Sequence, residues 1–529
     1  MLETCFGRKQ YLDILHKRVS ALTDGYRQNL AFIGDDLVGK TTVLSGFLAG
    51  FNDRRFLIVF LEARQETVES FCRRFIGALL YSFLLPDTLS LREDLEYLLD
   101  KSSPLIPKTA EKIRLILAEL KKNKRAQVVA ELFSLSEQIH AESGRFCVVI
   151  FDEFHKLEKL GIKKLFKEWA QLLMTQKHTM YIIASSAPYK ARAILAKDLS
   201  LLFGNFEVVD VEPFDVRTTE LYLDERLKGC AVDTGIRKFV ANLTGGNPYY
   251  LSIISDGLRR KGGAGLVPLL EELLFDSAGV LNQRFSGWVK RYEEMANGQE
   301  YTAILFHVAC GCNKLSDIAH LMRGLKKEIA PRVSHLIETD ALRRSGDFLI
   351  IPDRLFGFWL KSVHAQRLVS LTHDLSHQKA GFRGAVEALA QEFARQACKP
   401  VAQRVAELFR LFSDDRIQME RKSIRLDRFR EIKPLEFGPK RLKDGLICRS
   451  GDSVWILAFG SGAVTEDDIA EFAGECRKYR NKALKKIIVN LSELDHNSHL
   501  KALEEKIITW DLGRVNQILD LYSRPRIIA

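Results

Sequence analysis

Over roughly the first 210 residues, short uninterrupted apolar runs alternate with stretches whose apolar positions recur every three or four residues. Apolar runs of strand length suit strands covered on both faces, and the wider spacing suits helices with one buried stripe. Together they predict a layered α/β domain. The strands fall at Leu30–Ile33, Phe56–Leu61, Phe146–Phe151, Met180–Ala184 and Phe206–Val211. Between the second and third lies a long helical stretch, about Asp100 to Glu142, whose Ile113, Ile116, Leu117 and Leu120 recur at helical spacing. It reads as a helical insertion on the core. From Thr218 to Lys290 the pattern is helical, with a loop at Gly262, Gly263 and Gly265. Glu300–Ser362 reads as three helices and two short strands. After a linker at Ser370–Lys379, the remainder mixes helices with strands at Val454–Phe459 and Lys486–Asn490. The expected divisions are 1–215, 216–295, 296–368 and 380–529.

The length of 529 residues suggests about three domains. Charged residues at 28% and hydrophobic residues at 46% describe an ordinary folded chain rather than a disordered one. A net charge of +11 admits an acidic partner, nucleic acid or an anionic surface, and it also serves plain solubility. Nine cysteines include no C-x-x-C pair; the nearest two, Cys310 and Cys312, are one residue apart. That excludes a disulfide framework and a zinc ribbon and fits a reducing compartment. Met1 to Lys9 carry no apolar core, and runs such as Phe146–Phe151 are far short of a membrane span. A soluble, cytoplasmic protein without a membrane partner is expected.

Chemistry concentrates near the first strand. Gly34-Asp35-Asp36-Leu37-Val38-Gly39-Lys40-Thr41 fits G-x-x-x-x-G-K-[ST] in full, with a strand running in and a helix from Thr42 running out. Glycines let the backbone curl so that successive N–H groups converge on phosphate oxygens, and the helix start adds partial positive charge. Lys40 would reach the β- and γ-phosphates of ATP, and Thr41 would place its hydroxyl on Mg²⁺. The run Phe146–Phe151 ends in Asp152-Glu153. Asp152 is the second expected Mg²⁺ ligand, and Glu153 the base that polarises the attacking water. A third strand ends in Ser185-Ser186; a small polar residue there can sense the γ-phosphate, and Ser185 is preferred over Ser186.

These motifs resemble the archaeal-type ATPases of the AAA+-like, STAND-related P-loop class, over nearly the whole chain. Cys5-Phe6-Gly7-Arg8 is similar to that family's F-x-G-R box, with Cys5 replacing the usual first residue, and Gly245-Gly246-Asn247-Pro248-Tyr249-Tyr250-Leu251 to its G-N-P-[YF]-Y-L stretch. The resemblance implies that Arg8 lies near the adenine and that Pro248 responds to nucleotide. It implies an α/β P-loop core with a helical lid at 216–295, a winged helix at 296–368, and an α+β restriction-endonuclease-like C-terminal domain. One departure stands out: Gly204-Asn205 replaces the usual Gly-Arg pair ahead of the last core strand. Slow hydrolysis, or an arginine supplied by a partner or a second copy, follows.

In the winged-helix resemblance, the third helix offers Lys326, Lys327, Arg332, Ser334 and His335 to double-stranded DNA, and Arg343 and Arg344 extend from the wing. A wing used only for packing is the open alternative. Ile351-Pro352-Asp353-Arg354 through Phe358-Trp359-Leu360 is similar to the family's D-x-x-x-x-F-W-[FL] ending and implies packing. In the C-terminal domain, Asp444 precedes a strand that puts Ala458 at the acidic position and Gly460 at the lysine position of a nuclease. Neither side chain can hold metal or activate water, so nuclease activity is not expected. Thr465 caps the helix that follows. Arg421, Arg425 and Arg428 recur at helical spacing and predict one basic stripe, open to phosphate or simply to solvent. Two functions stay open: an ATP-hydrolysing switch that binds DNA, and an ATP-gated regulatory scaffold working through protein partners.

Overall fold

Five of the apolar runs form strands in the first unit: β1 (Asn29–Ile33), β2 (Phe56–Glu62), β3 (Phe146–Asp152), β4 (Thr179–Ser185) and β5 (Phe206–Asp210). They lie parallel in the order β2-β3-β4-β1-β5. The structure is a computed structural model describing residues 5–85, 94–120, 125–200, 206–261, 265–369, 374–419, 422–438, 441–442, 444–460, 462–479, 484–491 and 494–528. It divides into two compact units, Met1–Pro213 and Phe214–Ala529.

Alternation along the parallel strands builds two cores, because successive side chains leave opposite faces of a sheet. Leu30, Phe32, Val148, Ile150 and Ile182 pack with Leu15 and Val19 of helix Lys9–Ala21 and with Val43, Leu44 and Phe47 of helix Lys40–Gly50. Ala31, Ile33, Val149, Phe151, Tyr181 and Ile183 face the other way, onto helix Val68–Leu84 and the expected helical insertion. That insertion is helices Leu95–Ser102, Pro107–Leu120 and Arg125–Ser143. Its Phe133 sits in a ring cluster with Phe71, Phe75, Phe151 and Trp169 at centroid distances of 5.4 to 6.4 Å. Truncating such a ring costs about 3–5 kcal/mol, so the insertion is part of the core and not an appendage. Because all five strands run the same way, the loops after β1, β3 and β4 gather at one edge of the sheet.

The second unit opens with helices Val216–Arg226, Thr234–Thr244, Pro248–Lys261, Leu266–Leu274 and Val280–Glu293. Helices Gly298–Ala309, Leu315–Leu321 and Lys326–Glu338 follow, then an antiparallel ribbon of β6 (Arg343–Ser345) and β7 (Phe348–Ile350). Trp359 is buried, its Nε1 donating to the Leu274 carbonyl (3.1 Å) and to Asn282 Oδ1 (3.0 Å), so it packs rather than reacts. Residues 375–397 form one helix across the start of the expected last division; residues 370–373 of the expected linker lie outside the described residues.

Arg421, Arg425 and Arg428 do not form a helical stripe. β8 (Asp415–Met419) and β9 (Lys422–Leu426) pair as an antiparallel hairpin, with Arg416 opposite Arg425. The apolar positions Ile417, Met419, Ile424 and Leu426 alternate with period two, and they set the structure; Arg416 and Arg425 are exposed on the other face. Arg421 itself lies outside the described residues. Beyond the hairpin, β10 (Glu431–Glu436), β11 (Asp444–Arg449), β12 (Val454–Gly460), β13 (Leu484–Asn490) and β14 (Ile507–Asp511) form a sheet in sequence order. The first two pairings are antiparallel and the last two parallel. Thr465 caps helix Glu466–Cys476 with Asp468 returning to its N–H (2.9 Å), a reciprocal cap. No helix among the described residues is long and apolar enough to cross a membrane.

Candidate nucleotide site

Gly34 follows β1 with no room for a side chain: a Cβ there would lie 2.2 Å from the Val211 carbonyl oxygen. Gly39 takes a left-handed conformation (φ 93°) at the entry to helix Lys40–Gly50, which an L side chain adopts only at a cost. Between them Leu37 is left-handed as well (φ 63°). The loop is thus bent tightly where backbone N–H groups must converge. Lys40 is buried, and its Nζ donates to the carbonyls of Gly34 (3.1 Å) and Asp35 (2.6 Å). Burial pushes its pKa down, with Glu153, Asp36, Asp152 and Asp35 pulling the other way. Val38 is buried, Asp36 and Thr42 are exposed, and Arg8 braces the loop from the chain start. Arg8 Nη2 donates to the Val38 carbonyl (2.6 Å) and Nη1 to that of Glu212 (2.8 Å).

Two predicted ligands meet across 111 residues of chain: Thr41 Oγ1 donates to Asp152 Oδ2 at 2.7 Å. Asp152 is buried, and its other oxygen accepts from the Glu153 N–H (2.9 Å). Burial raises the Asp152 pKa, opposed by the Thr41 hydroxyl. A hydroxyl and a carboxylate side by side are hard oxygen donors, the set that suits a small divalent cation retaining several waters. The residues therefore fit Mg²⁺.

Glu153 has a left-handed backbone (φ 53°), an uncommon conformation for this residue type and one that clusters at functional sites. Its Oε2 accepts from Ser186 Oγ (2.7 Å) and the Ser186 N–H (3.3 Å) and lies 3.4 Å from His155 Nδ1. Ser185 is fully buried, and its Oγ sits 2.8 Å from the same His155 nitrogen. So the hydroxyl that touches the carboxylate belongs to Ser186, and that of Ser185 meets the imidazole. Sequence reasoning missed His155, and it weighed Ser186 only as a γ-phosphate sensor. The string Asp-Glu-Phe-His is visible in the sequence, but the strand end that His155 meets depends on strand order. Burial drives the His155 pKa down to about 4, with Lys156, Lys190, Lys159 and Lys40 adding to it, so the ring is neutral at pH 7.

The remaining candidates lie in the second unit. Pro248 begins helix Pro248–Lys261, where Asn247 Oδ1 accepts the N–H of Tyr249 (3.0 Å). Lys326, Lys327, Arg343 and Arg344 are exposed. Arg332 is not: its guanidinium grips Glu300 through two nitrogens, at 2.7 and 3.1 Å. Arg425 pairs with Asp414 (2.9 Å), whose carboxylate also accepts the Arg428 N–H (3.2 Å). Gly204-Asn205 lies outside the described residues.

A parallel five-stranded sheet with this loop, lysine and carboxylate pair is similar to the core of P-loop ATPases. Residues 16–254 match the model of a family described as an ATPase domain predominantly from Archaea. No curated protein matches the chain. Among solved structures, a Walker-type ATPase of Pyrococcus abyssi is similar at 18% identity and a TM-score of 0.51, over 67% of this chain and 95% of that one. That likeness concerns the fold. The ORC2 protein of Aeropyrum pernix, in ADPNP–ADP complexes, matches at 9% identity and a TM-score of 0.41, over 72% of this chain and 94% of that one. The ORC1 protein of the same organism, in complex with DNA, matches at 13% identity and a TM-score of 0.35, over 70% and 96%.

Proposed function

We propose that the protein is an ATP-hydrolysing molecular switch. The observation that carries this is the 2.7 Å contact of Thr41 with Asp152, beside a buried Lys40 and the carboxylate of Glu153. Lys40 binds the β- and γ-phosphates as a point charge, and the loop N–H groups of Gly34 to Thr42 hold their oxygens. Thr41 and Asp152 would hold Mg²⁺, which would supply neutralising charge for the phosphates. Glu153 takes a proton from water as the water oxygen bonds to the γ-phosphorus and the bond to the β–γ bridging oxygen breaks. Arg8 positions the loop through Val38, and Pro248 acts in the lid as a nucleotide-responsive position. With Asn205 in place of arginine, turnover is slow until a partner or second copy supplies that charge. The test is thermal: ATP with Mg²⁺ at about 100 times its dissociation constant stabilises the fold by roughly 2.7 kcal/mol. No melting shift with any nucleoside triphosphate would remove the reading.

For the output we propose double-stranded DNA, with helices 298–338 and the β6–β7 ribbon acting as a winged helix. Exposed Lys326, Lys327, Arg343 and Arg344 support this reading. A specific observation favours the alternative, an ATP-gated scaffold for protein partners. The ribbon turn is tied to β8: Asp347 Oδ2 accepts the Arg416 N–H (2.7 Å) and Ser345 Oγ the Gln418 N–H (3.1 Å). Gly346 sits so close that a Cβ would be 2.1 Å from the Arg416 carbonyl oxygen. DNA affinity measured against salt separates the two, since each neutralised phosphate contributes roughly −0.9 to the log–log slope. A flat plot supports the scaffold. The C-terminal sheet is read as a restriction-endonuclease-like domain without nuclease chemistry, given Ala458 and Gly460.

A further inference from the structure

The two oxygens of Glu153 are treated differently by the protein. Oε2 is approached by Ser186 Oγ, the Ser186 N–H and His155 Nδ1, at 2.7, 3.3 and 3.4 Å. Oε1 has no hydrogen-bond partner among the described residues. His155 is in turn held by Ser185 Oγ at 2.8 Å, and Ser185 receives the Ala187 N–H at 3.1 Å. The elements that bring these groups together are distinct. Glu153 and His155 come from the turn after β3, while Ser185 and Ser186 come from the end of β4. The pairing of β3 with β4 fixes their separation.

We infer that Ser186 and His155 are positioning residues that anchor Glu153 through Oε2 and leave Oε1 as the oxygen that accepts the water proton. This rests on the ATPase reading above. Ser185 orients the imidazole through its hydroxyl. Anchoring matters because proton transfer needs the acceptor within hydrogen-bond reach in a defined direction, and a carboxylate on a flexible stem samples several rotamers unless it is held.

The test compares steady-state ATP turnover with nucleotide affinity in the full chain. Ser186→Ala lowers kcat roughly 10- to 100-fold with ATP affinity unchanged, and Ser186→Thr, which restores a hydroxyl, recovers most of it. Ser185→Ala acts only through the ring, so adding it to His155→Ala changes nothing further. Equal kcat in Ser186→Ala would overturn the inference, as would a parallel loss of affinity or no recovery in Ser186→Thr. A parent protein with no turnover, or turnover equal to that of Glu153→Gln, would instead take down the ATPase reading itself.

Discussion

Asp520 and Asp415 in the second unit and Asp152 in the first are held in opposite ways. In the second, Asp520 is clamped between Arg354 and Arg526, and Arg526 Nη2 reaches it at 2.7 Å. Asp415 there receives Lys314 Nζ (2.6 Å) and the Tyr522 hydroxyl (2.5 Å). In the first unit, buried Asp152 accepts from a threonine hydroxyl and a backbone N–H, with no ion pair among the described residues. A carboxylate saturated by cations is mortar. One kept buried without a cation is costly to the fold, and the cost makes sense if a divalent cation completes it. The lesson extends to strand ends. β3 and β4 finish in carboxylates and hydroxyls that converge, whereas β12 and β13 finish in Gly460 beside Asn490. A Cβ at residue 460 would lie 2.7 Å from Asn490 Oδ1, so a lysine there requires its neighbours to move.

The largest expected effect is on ligand binding. Lys40→Ala should abolish the melting shift with ATP, measured by thermal unfolding with and without nucleotide; a retained shift breaks the contrast at its root. Next comes stability. Asp520→Ala leaves two half-buried guanidiniums facing each other and should destabilise the fold, read by denaturant unfolding. Asp152→Asn should go the other way, melting at or slightly above the parent temperature while ATP turnover is lost. Equal destabilisation by both would erase the distinction between the two units.

The acid responses differ in sign. Burial would raise the Asp520 pKa, but Arg354 and Arg526 hold it below the usual carboxylate range. Its stabilising contribution is present above the unfolded value of 3.8 and is lost as pH falls through the lower folded value. Asp152 has a raised pKa, so its penalty is felt above the folded value and vanishes below the unfolded one. Between the two, Asp520→Ala should flatten the acid unfolding curve and Asp152→Asn should not. The smallest effect is the salt slope of DNA binding, where Lys326→Ala should change it by roughly 0.9.

The core is legible in the sequence because its physics is local. Strands buried on both faces must be continuously apolar, and the phosphate loop needs glycines and a lysine at fixed spacing, so β1 to β4 and Lys40 can be read directly. Asp152 follows from its place at a strand end. The contacts of Ser186 and His155 with Glu153 cannot be read, since they depend on β4 lying beside β3, a fact that sequence spacing does not encode. The hairpin β8–β9 departs from the expected helix because arginines at 421, 425 and 428 mimic a helical repeat. Solvent-facing charges obey no period, whereas the alternating Ile417, Met419, Ile424 and Leu426 do.

The most direct test is hydrolysis by Glu153→Gln set beside its ATP affinity by calorimetry. If Glu153 is the base, affinity stays like that of the parent and turnover falls at least about 100-fold. A variant that binds ATP and hydrolyses it at the parent rate would contradict that role.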